Sequence, residues 1–511
     1  MRLGIDFGTT RTVVAGQDGG NYPVYTFSWN GEMKEYIPSL IAAKDGMLYF
    51  GWEAVDLLDK PDVSLLRSMK RLAGHLRPDD VLDMGPGLSV TMLDLMTLFL
   101  THIKTMLLKN SSFPFRKKTL LEAMVATPAN ANSNQRYITL EAFRRAGFNV
   151  LGAMNEPSAA AVEFLHRYLR NMGPRSPKRH VAVYDLGGGT FDASVVGILD
   201  RRHDVLAHEG IARLGGDDFD EIILDLVLEE AGVARNDIEP SSVVRLLEEC
   251  RDRKEGLKAN TKKMVVDLGA VVRGKGPVVL ETALVYDRSN PLIQSSLDSL
   301  HRLLVRLGEA PEDSRTLAAV YLVGGSVAFP PVARALREIY PNKIKTSPFP
   351  HASTAIGLAI ACDPEAHITV QETVSRHFGL WREKGQDKIF DPIFRKDRQV
   401  DSNTGSLKVS RAYNPVHNIG LLRYMECSSL GQEGEPEGDI ALWKDVCFPY
   451  DPTLRGRKDL RKVPVRVCPE LSSQEVIETY EYNDQGLVRV EIENRTSGYR
   501  KLFTLEPEIG T

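Results

Sequence analysis

Leu3-Gly4-Ile5-Asp6-Phe7-Gly8-Thr9-Thr10-Arg11-Thr12-Val13-Val14, near the start of the chain, is echoed near its middle by Ala182-Val183-Tyr184-Asp185-Leu186-Gly187-Gly188-Gly189-Thr190-Phe191-Asp192-Ala193-Ser194-Val195-Val196. Both run apolar strand, Asp, apolar residue, Gly-rich turn with Thr, second apolar strand. Each reads as a β-hairpin whose tip carries a carboxylate, exposed N–H groups and hydroxyls. Glycine lets such a tip approach a ligand closely and adopt positive φ. Successive N–H groups in the turn form an anion nest. An Asp ending the first strand, Asp6 or Asp185, can hold a hydrated Mg²⁺. One Gly-rich hairpin is ordinarily only a turn. Two, each opening an α/β half, predict related lobes that clamp one polyphosphate from both sides. A Walker GxxxxGK[ST] loop is absent from the sequence, so a nucleotide needs this other cradle. A third glycine element, Val320-Tyr321-Leu322-Val323-Gly324-Gly325-Ser326, is a strand running into a turn before a helix over Pro331–Ile339. Beside the hairpins it predicts a nucleoside site.

Outward from these motifs, residues 1–365 alternate short β-branched runs (Val181–Tyr184, Ala319–Val323) with amphipathic stretches (Leu93–Leu108, Asn134–Ala146, Ser158–Leu169, Asp218–Glu230). That alternation predicts an α/β architecture. From about 375 to 511 the segments are short and alternating: Leu407–Val409, Ile419–Tyr424, Val463–Val467, Glu475–Tyr482, Leu487–Ile492 and Arg500–Leu505. Asn-Thr-Gly, Asp-Gln-Gly and Thr-Ser-Gly turns punctuate them, which predicts an all-β part. Ile368–Val374 reads as a connector and Gly431–Gly438 as a polar loop.

The chain has 511 residues and a net charge of −4, which argues against a nucleic-acid binder working by bulk charge. No apolar run approaches the roughly 18 residues of a membrane span. Asp6 sits where a signal peptide needs its apolar stretch, so a cytoplasmic location is expected. The five cysteines form no CxxC pair and read as free thiols.

Taken together, the motifs resemble the Hsp70 chaperone family of the actin/sugar-kinase/Hsp70 ATPase superfamily. The segments that carry the resemblance are Gly4–Val14, Met69–Gly74, Ala126-Thr127-Pro128, Ser133–Arg136, Asn155–Ala161, Asp185–Asp192, Leu214–Asp220 and Val323–Ser326. It covers residues 1–362 well. It continues weakly through Ile389–Phe394, Asp484–Val490 and Thr496-Ser497-Gly498. It implies a two-lobed actin-like ATPase domain (1–365), a linker (366–374) and a β-sandwich substrate- or partner-binding domain (375–511). Mg²⁺ with ATP or ADP would lie in the cleft, with Asp6 and Asp185 around the metal. Thr9, Thr10 and Thr190 would contact phosphates, and Lys70 would position the attacking water. Glu156 and Asp192 would complete the polar cluster. Gly8, Gly187, Gly188, Gly189, Gly215, Gly216, Lys254, Gly324, Gly325 and Ser326 would line the nucleotide. Pro128 and Arg136 match a relay between nucleotide and substrate. Residue by residue there are blander readings: Lys70-Arg71 as a solvated basic pair, and Glu156 as a cap on a helix from Ser158. The histidines, His351 among them, show no ligand spacing.

The sequence also departs from the family. The helix that usually faces adenosine offers Arg251, Lys254, Glu255 and Lys258, of which only Lys254 is retained. Ala328 stands where an Arg usually lies against the base, and His351 where an Asp precedes the last helix. Gly152 replaces an Arg used near a J-protein co-chaperone. Ile368–Val374 replaces a Leu-rich acidic linker. The chain given stops at Thr511, so the expectation is a lidless groove that releases peptide quickly. The reading is therefore an Hsp70-like chaperone whose MgATP hydrolysis is coupled to binding unfolded or extended polypeptide. J-protein and nucleotide-exchange co-chaperones are possible partners; nucleic acid and membrane are not. The alternatives are an ATP-gated scaffold for one dedicated client and a small-molecule kinase of the same superfamily.

Overall fold

The echo in the sequence is an echo of sheets. In the computed structural model, which describes residues 1–114, 120–168, 177–198, 202–309, 315–384, 387–401, 404–443, 445–483 and 486–505, the first hairpin is Arg2–Phe7 with Arg11–Gly16 and the second is His180–Leu186 with Phe191–Gly197. Leu169, Asn403, Asp484 and Gln485, each in a segment named above, lie outside the described residues. Arg2–Phe7 also pairs in parallel with Glu122–Thr127, which pairs in parallel with Asn149–Asn155. His180–Leu186 likewise pairs in parallel with Leu317–Val323, which pairs in parallel with Ile344–Thr346. Beyond each hairpin an antiparallel strand follows, Ile37–Pro38 in one sheet and Arg202–Ile211 in the other. The two sheets thus repeat one strand order and one set of directions. Leu317–Val323 is buried at every residue, as a strand covered on both faces must be.

Between the sheets lie two helices. Ser353–Ala361 packs on strands of the first sheet and Glu156–Tyr168 on strands of the second, and the helices pack on each other. Their crossing is close: a Cβ on Gly357 would stand 1.7 Å from the carbonyl oxygen of Ala159, so only glycine fits. Ala159–Val162, Ala355, Ala359, Val183 and Val13 form one core spanning both halves. These elements belong to one compact unit, Met1–Asn130 with Ile138–Val370. The segment read as a connector starts as sheet: Thr369–Gln371 is the edge strand beside Arg202–Ile211.

The second unit comprises Ala131–Tyr137 and Gln371–Thr511. It holds two four-stranded antiparallel sheets, ordered Asp387–Phe394, His377–Lys384, Tyr424–Leu430, Pro436–Leu442 and Ser406–Tyr413, Val476–Asn483, Val488–Asn494, Tyr499–Leu505. Inward residues of both sheets make one core, including Phe378, Leu380, Phe394 and Tyr424 from one and Tyr480, Val490 and Ile492 from the other. Val476–Asn483 alternates buried and half-buried along its length, the period-2 signature read in the sequence. One charge crosses this core. Glu478, wholly buried, accepts from Arg382 of the facing sheet at 2.5 Å and from the hydroxyls of Tyr413 (2.7 Å) and Tyr480 (2.6 Å).

Two expectations fail here. Val463–Val467 is not a ladder strand; Pro464 breaks its donor row, and it keeps one bridge, Val467 with His417. Within Gly431–Gly438 a strand has already begun at Pro436. That strand, Pro-Glu-Gly-Asp-Ile-Ala-Leu, is a largely exposed sheet edge, so it lacks the alternation that reveals half-buried strands. All five cysteines are free thiols.

Candidate functional site

Each hairpin tip is closed by one backbone bond in the same place. Gly8 N–H donates to Arg11 O at 3.0 Å, and Gly187 N–H donates to Thr190 O at 3.0 Å. Neither turn needs positive φ, contrary to the expectation from composition; none of Gly8, Gly187, Gly188 or Gly189 adopts it. What the glycines provide is closeness. A Cβ on Gly188 would lie 2.5 Å from Thr10 Cγ2, and one on Gly189 would lie 2.7 Å from Thr9 Cγ2. The two tips therefore face each other. The second is further braced by Asp217 N–H on Gly188 O at 2.6 Å and Ser326 Oγ on Gly187 O at 2.8 Å.

Against these tips lies a cavity of about 320 Å³. Asp6, Gly8, Thr9 and Thr10 line it from the first hairpin, and Asp185, Gly187, Gly188 and Thr190 from the second. Glu156, Gly216, Lys254, Gly324, Gly325 and Ser326 complete the wall among the residues singled out in the sequence. Lys70, Asp192, Gly189 and Gly215 are not part of the lining. Lys70 is buried just behind it, its Nζ bonded to Glu156. Glu156 is the first residue of its own helix, not a cap before Ser158, and Pro157 falls in the first turn, where its missing N–H costs little.

The cluster is short of positive charge. Asp185 and Asp192 stand directly opposite each other across the hairpin, a like-charge pair that folding alone disfavours. Burial, with the neighbouring Glu156 and despite Lys70, pushes the Asp6 carboxyl up to about 7. Burial and Glu156 likewise push Asp192 to about 7, against hydrogen bonds from Thr190 and Asn130. Asp185 is raised well above the usual carboxylate range by burial, then by Glu156, Asp192 and Asp6. Lys70 is held protonated: burial opposes its charge, but Glu156 and Asp6 outweigh that. Asp6 Oδ1 is buried without a hydrogen-bond partner. Four carboxylates around one ammonium, one with an orphaned oxygen, suit a divalent cation. Among the described residues no three His, Cys, Asp or Glu converge tightly enough to chelate a metal directly. Such a donor set fits a hydrated divalent cation, the mode Mg²⁺ favours.

The end of the cavity expected to face a nucleoside is charged differently. Lys254 donates to Gly216 O and to Asp220, both at 2.6 Å, and Arg251 pairs with Glu248. Glu255 pairs with Arg11 of the first hairpin, and His351 Nε2 meets Glu35 at 2.9 Å. Ala328 and Phe329 line the same end.

Sequence reading missed the ion pairs that hold the strand-and-helix segment before Gly74 against the helix Gly216–Ala231. Arg67 Nη2 reaches Asp217 at 2.8 Å and Asp220 at 3.1 Å, with its Nε 3.6 Å from Glu248. Arg71 forks onto Asp218 at 2.8 and 3.1 Å. Ser68 takes a left-handed φ of 58°, and its hydroxyl donates to Asp217. The local signal was slight: acidic residues crowding Leu214–Asp220 and basic ones crowding Arg67–Arg71. The remaining residues singled out earlier are dispersed. Gly152 lies in the strand Asn149–Asn155 opposite Met124. Arg136 is buried on the helix Ser133–Arg145.

Comparison with known proteins bears on the family of the chain. The sequence model of the Hsp70 protein family matches residues 2–374. The chain is 31% identical over 364 residues to the chaperone protein DnaK of Mycoplasmopsis pulmonis, covering 70% of this chain and 57% of that protein. It is 30% identical over 365 residues to the chaperone protein DnaK of Mycoplasmoides gallisepticum, covering 70% and 59% respectively. The matched stretch thus spans less than two thirds of either relative. Among the described residues no helix is long and apolar enough to cross a membrane. With the doubled hairpin, the acidic pocket between its copies and a family match over most of its length, this chain belongs to the Hsp70 protein family.

Proposed function

We propose that the chain is an Hsp70-type ATPase chaperone: it hydrolyses ATP with Mg²⁺ in the cavity between the hairpins, and its β-rich unit binds extended polypeptide according to the nucleotide held. The observation that carries the reading is the pair of opposed hairpin tips over four carboxylates and one buried ammonium. Phosphoryl transfer is mainly positioning and charge neutralisation. The turn N–H groups and the hydroxyls of Thr9, Thr10 and Thr190 would bind phosphate oxygens. Asp6 and Asp185 would hold hydrated Mg²⁺, which when bound neutralises phosphate charge. Lys70, kept charged and oriented by Glu156, would hold the attacking water at the terminal phosphate. Asp192, fixed by Thr190, would keep that proton network in register.

The polypeptide half of the reading rests on the β-rich unit and on the printed name, chaperone, of the two relatives. Pro436–Leu442 is an open sheet edge with Ile440 and Leu442 exposed, a surface to which an extended chain can add by main-chain hydrogen bonds. J-protein and nucleotide-exchange partners are further parts of the proposal. The test is a scan of immobilised peptides with the whole chain in ATP and in ADP. Extended apolar peptides should be retained in ADP and shed in ATP. Retention on a single peptide sequence and on no other would mean a dedicated client.

A further inference from the structure

Arg11 stands at the nucleoside end of the cavity in an arrangement that phosphate binding does not explain. Its guanidinium lies 4.5 Å from the centroid of the Tyr36 ring. Tyr36 is itself fixed: its ring meets Trp52 at 5.4 Å, and Trp52 Nε1 donates to Tyr36 O at 3.1 Å. Lys34 Nζ covers the Trp52 ring at 5.3 Å. On the cavity side Arg11 is paired with Glu255, and its Nη1 lies 3.9 Å from where a Gly325 Cβ would stand. The other two cations of this wall, Lys254 and Arg251, are drawn onto Gly216, Asp220 and Glu248.

We infer that Arg11 is the nucleoside-gripping residue of this site: its guanidinium plane, clamped by Tyr36 and Glu255, is the surface on which the base of a nucleoside triphosphate stacks. The inference rests on the nucleotide reading above. Three features favour a base over a phosphate. Glu255 already neutralises the guanidinium, which suits a neutral ring more than another anion. The guanidinium already lies over the Tyr36 ring, itself braced by Trp52, so a flat ring adds one more layer. Gly325 leaves the space beside it open. Stacking of this kind tolerates any base, since every base has a π-face. ATP and GTP are therefore held alike.

The test is calorimetry on the whole chain with Mg²⁺, comparing ATP, GTP and inorganic tripolyphosphate for wild type, Arg11→Ala and Arg11→Lys. Arg11→Ala should weaken ATP and GTP about three- to thirtyfold, the range of a cation–aromatic contact, and leave tripolyphosphate within about twofold. The loss should appear in KM more than in kcat. Arg11→Lys keeps the charge but not the plane and should recover only part of the loss; it carries the same comparison if the alanine variant does not fold. Equal losses for ATP and tripolyphosphate, or no loss for either, would overturn the assignment of Arg11 alone. A wild-type chain that binds none of the three would overturn the nucleotide reading and this inference with it.

Discussion

Gly188 and Gly189 face Thr10 and Thr9 so closely that a methyl group has nowhere to go. Gly188→Ala should therefore push the hairpin tips apart. Overpacking of this kind costs about 1–3 kcal/mol. The expected outcome is a loss of ATP affinity of at least about tenfold with circular dichroism unchanged; wild-type affinity would mean the tips are not the cradle. A second residue responds to pH. Burial, then Lys396, Arg395 and Arg376, lowers His377 from 6.5 to about 4. Its Nδ1 accepts the Lys396 N–H at 3.3 Å, so the folded ring is neutral. The unfolded chain takes up a proton near pH 6.5 and the folded one only near 4. Stability from the neutral ring is therefore complete above about 6.5 and lost as pH falls towards 4. After screening at this half-buried position, about 1–2 kcal/mol is at stake. Denaturant midpoints at pH 7.5 and 4.5, followed by Trp381 and Trp443 in a chain with Trp29 and Trp52 changed to Phe, should differ less in His377→Gln than in wild type. Residues such as Asp6, Thr9, Asp185 and Thr190 could be read from the sequence because the motif occurs twice. Arg67, and the pairing of Glu255 with Arg11, could not, because these partners are set by the tertiary fold.

At the level of elements, the repeated strand order shows that the doubled motif marks two whole half-domains. Two long amphipathic helices were legible almost to the residue: Leu93–Leu108 is Met92–Lys109, and Asp218–Glu230 is Gly216–Ala231, whereas Thr282–Arg306 was not read. One buried stripe per helix is a strong periodic signal. Strands were legible where one face is buried, as in Val476–Asn483, and illegible at the exposed edge Pro436–Leu442. The short helix Met69–Leu72 has no stripe of its own; ion pairs hold it and the residues before it to Gly216–Ala231. Arg67 sits there among three carboxylates and is only 12% exposed. Arg67→Ala strands those acids, and breaking a buried pair costs about 3–5 kcal/mol. Thermal unfolding should show a lower midpoint for the α/β unit, partly restored in Arg67→Lys. A shift equivalent to under about 0.5 kcal/mol would class these contacts with ordinary surface pairs.

At the scale of the whole molecule two properties are linked, and the first is coupling between nucleotide and polypeptide. Coupling is a free energy and is reciprocal between sites. With Pro128 and Arg136 kept, but Gly152 and Ile368–Val374 changed, about 1 kcal/mol is expected, near the low end of the usual range. Peptide affinity measured in ATP and in ADP should differ about fivefold. A ratio near one would leave the two activities independent. The second property, on which the first depends, is ATP hydrolysis in the cavity. Lys70 is the group to change, because it is buried, charged and bonded to Glu156 behind the pocket wall. A lysine that serves the attacking water contributes to the transition state more than to the bound substrate. The deciding measurement is phosphate release at saturating ATP and Mg²⁺ for wild type and Lys70→Ala, with ATP binding measured on both. The account predicts Mg²⁺-dependent turnover in wild type, its near-abolition in Lys70→Ala and ATP affinity within a few-fold between them. Wild-type turnover no higher than that of Lys70→Ala would contradict it.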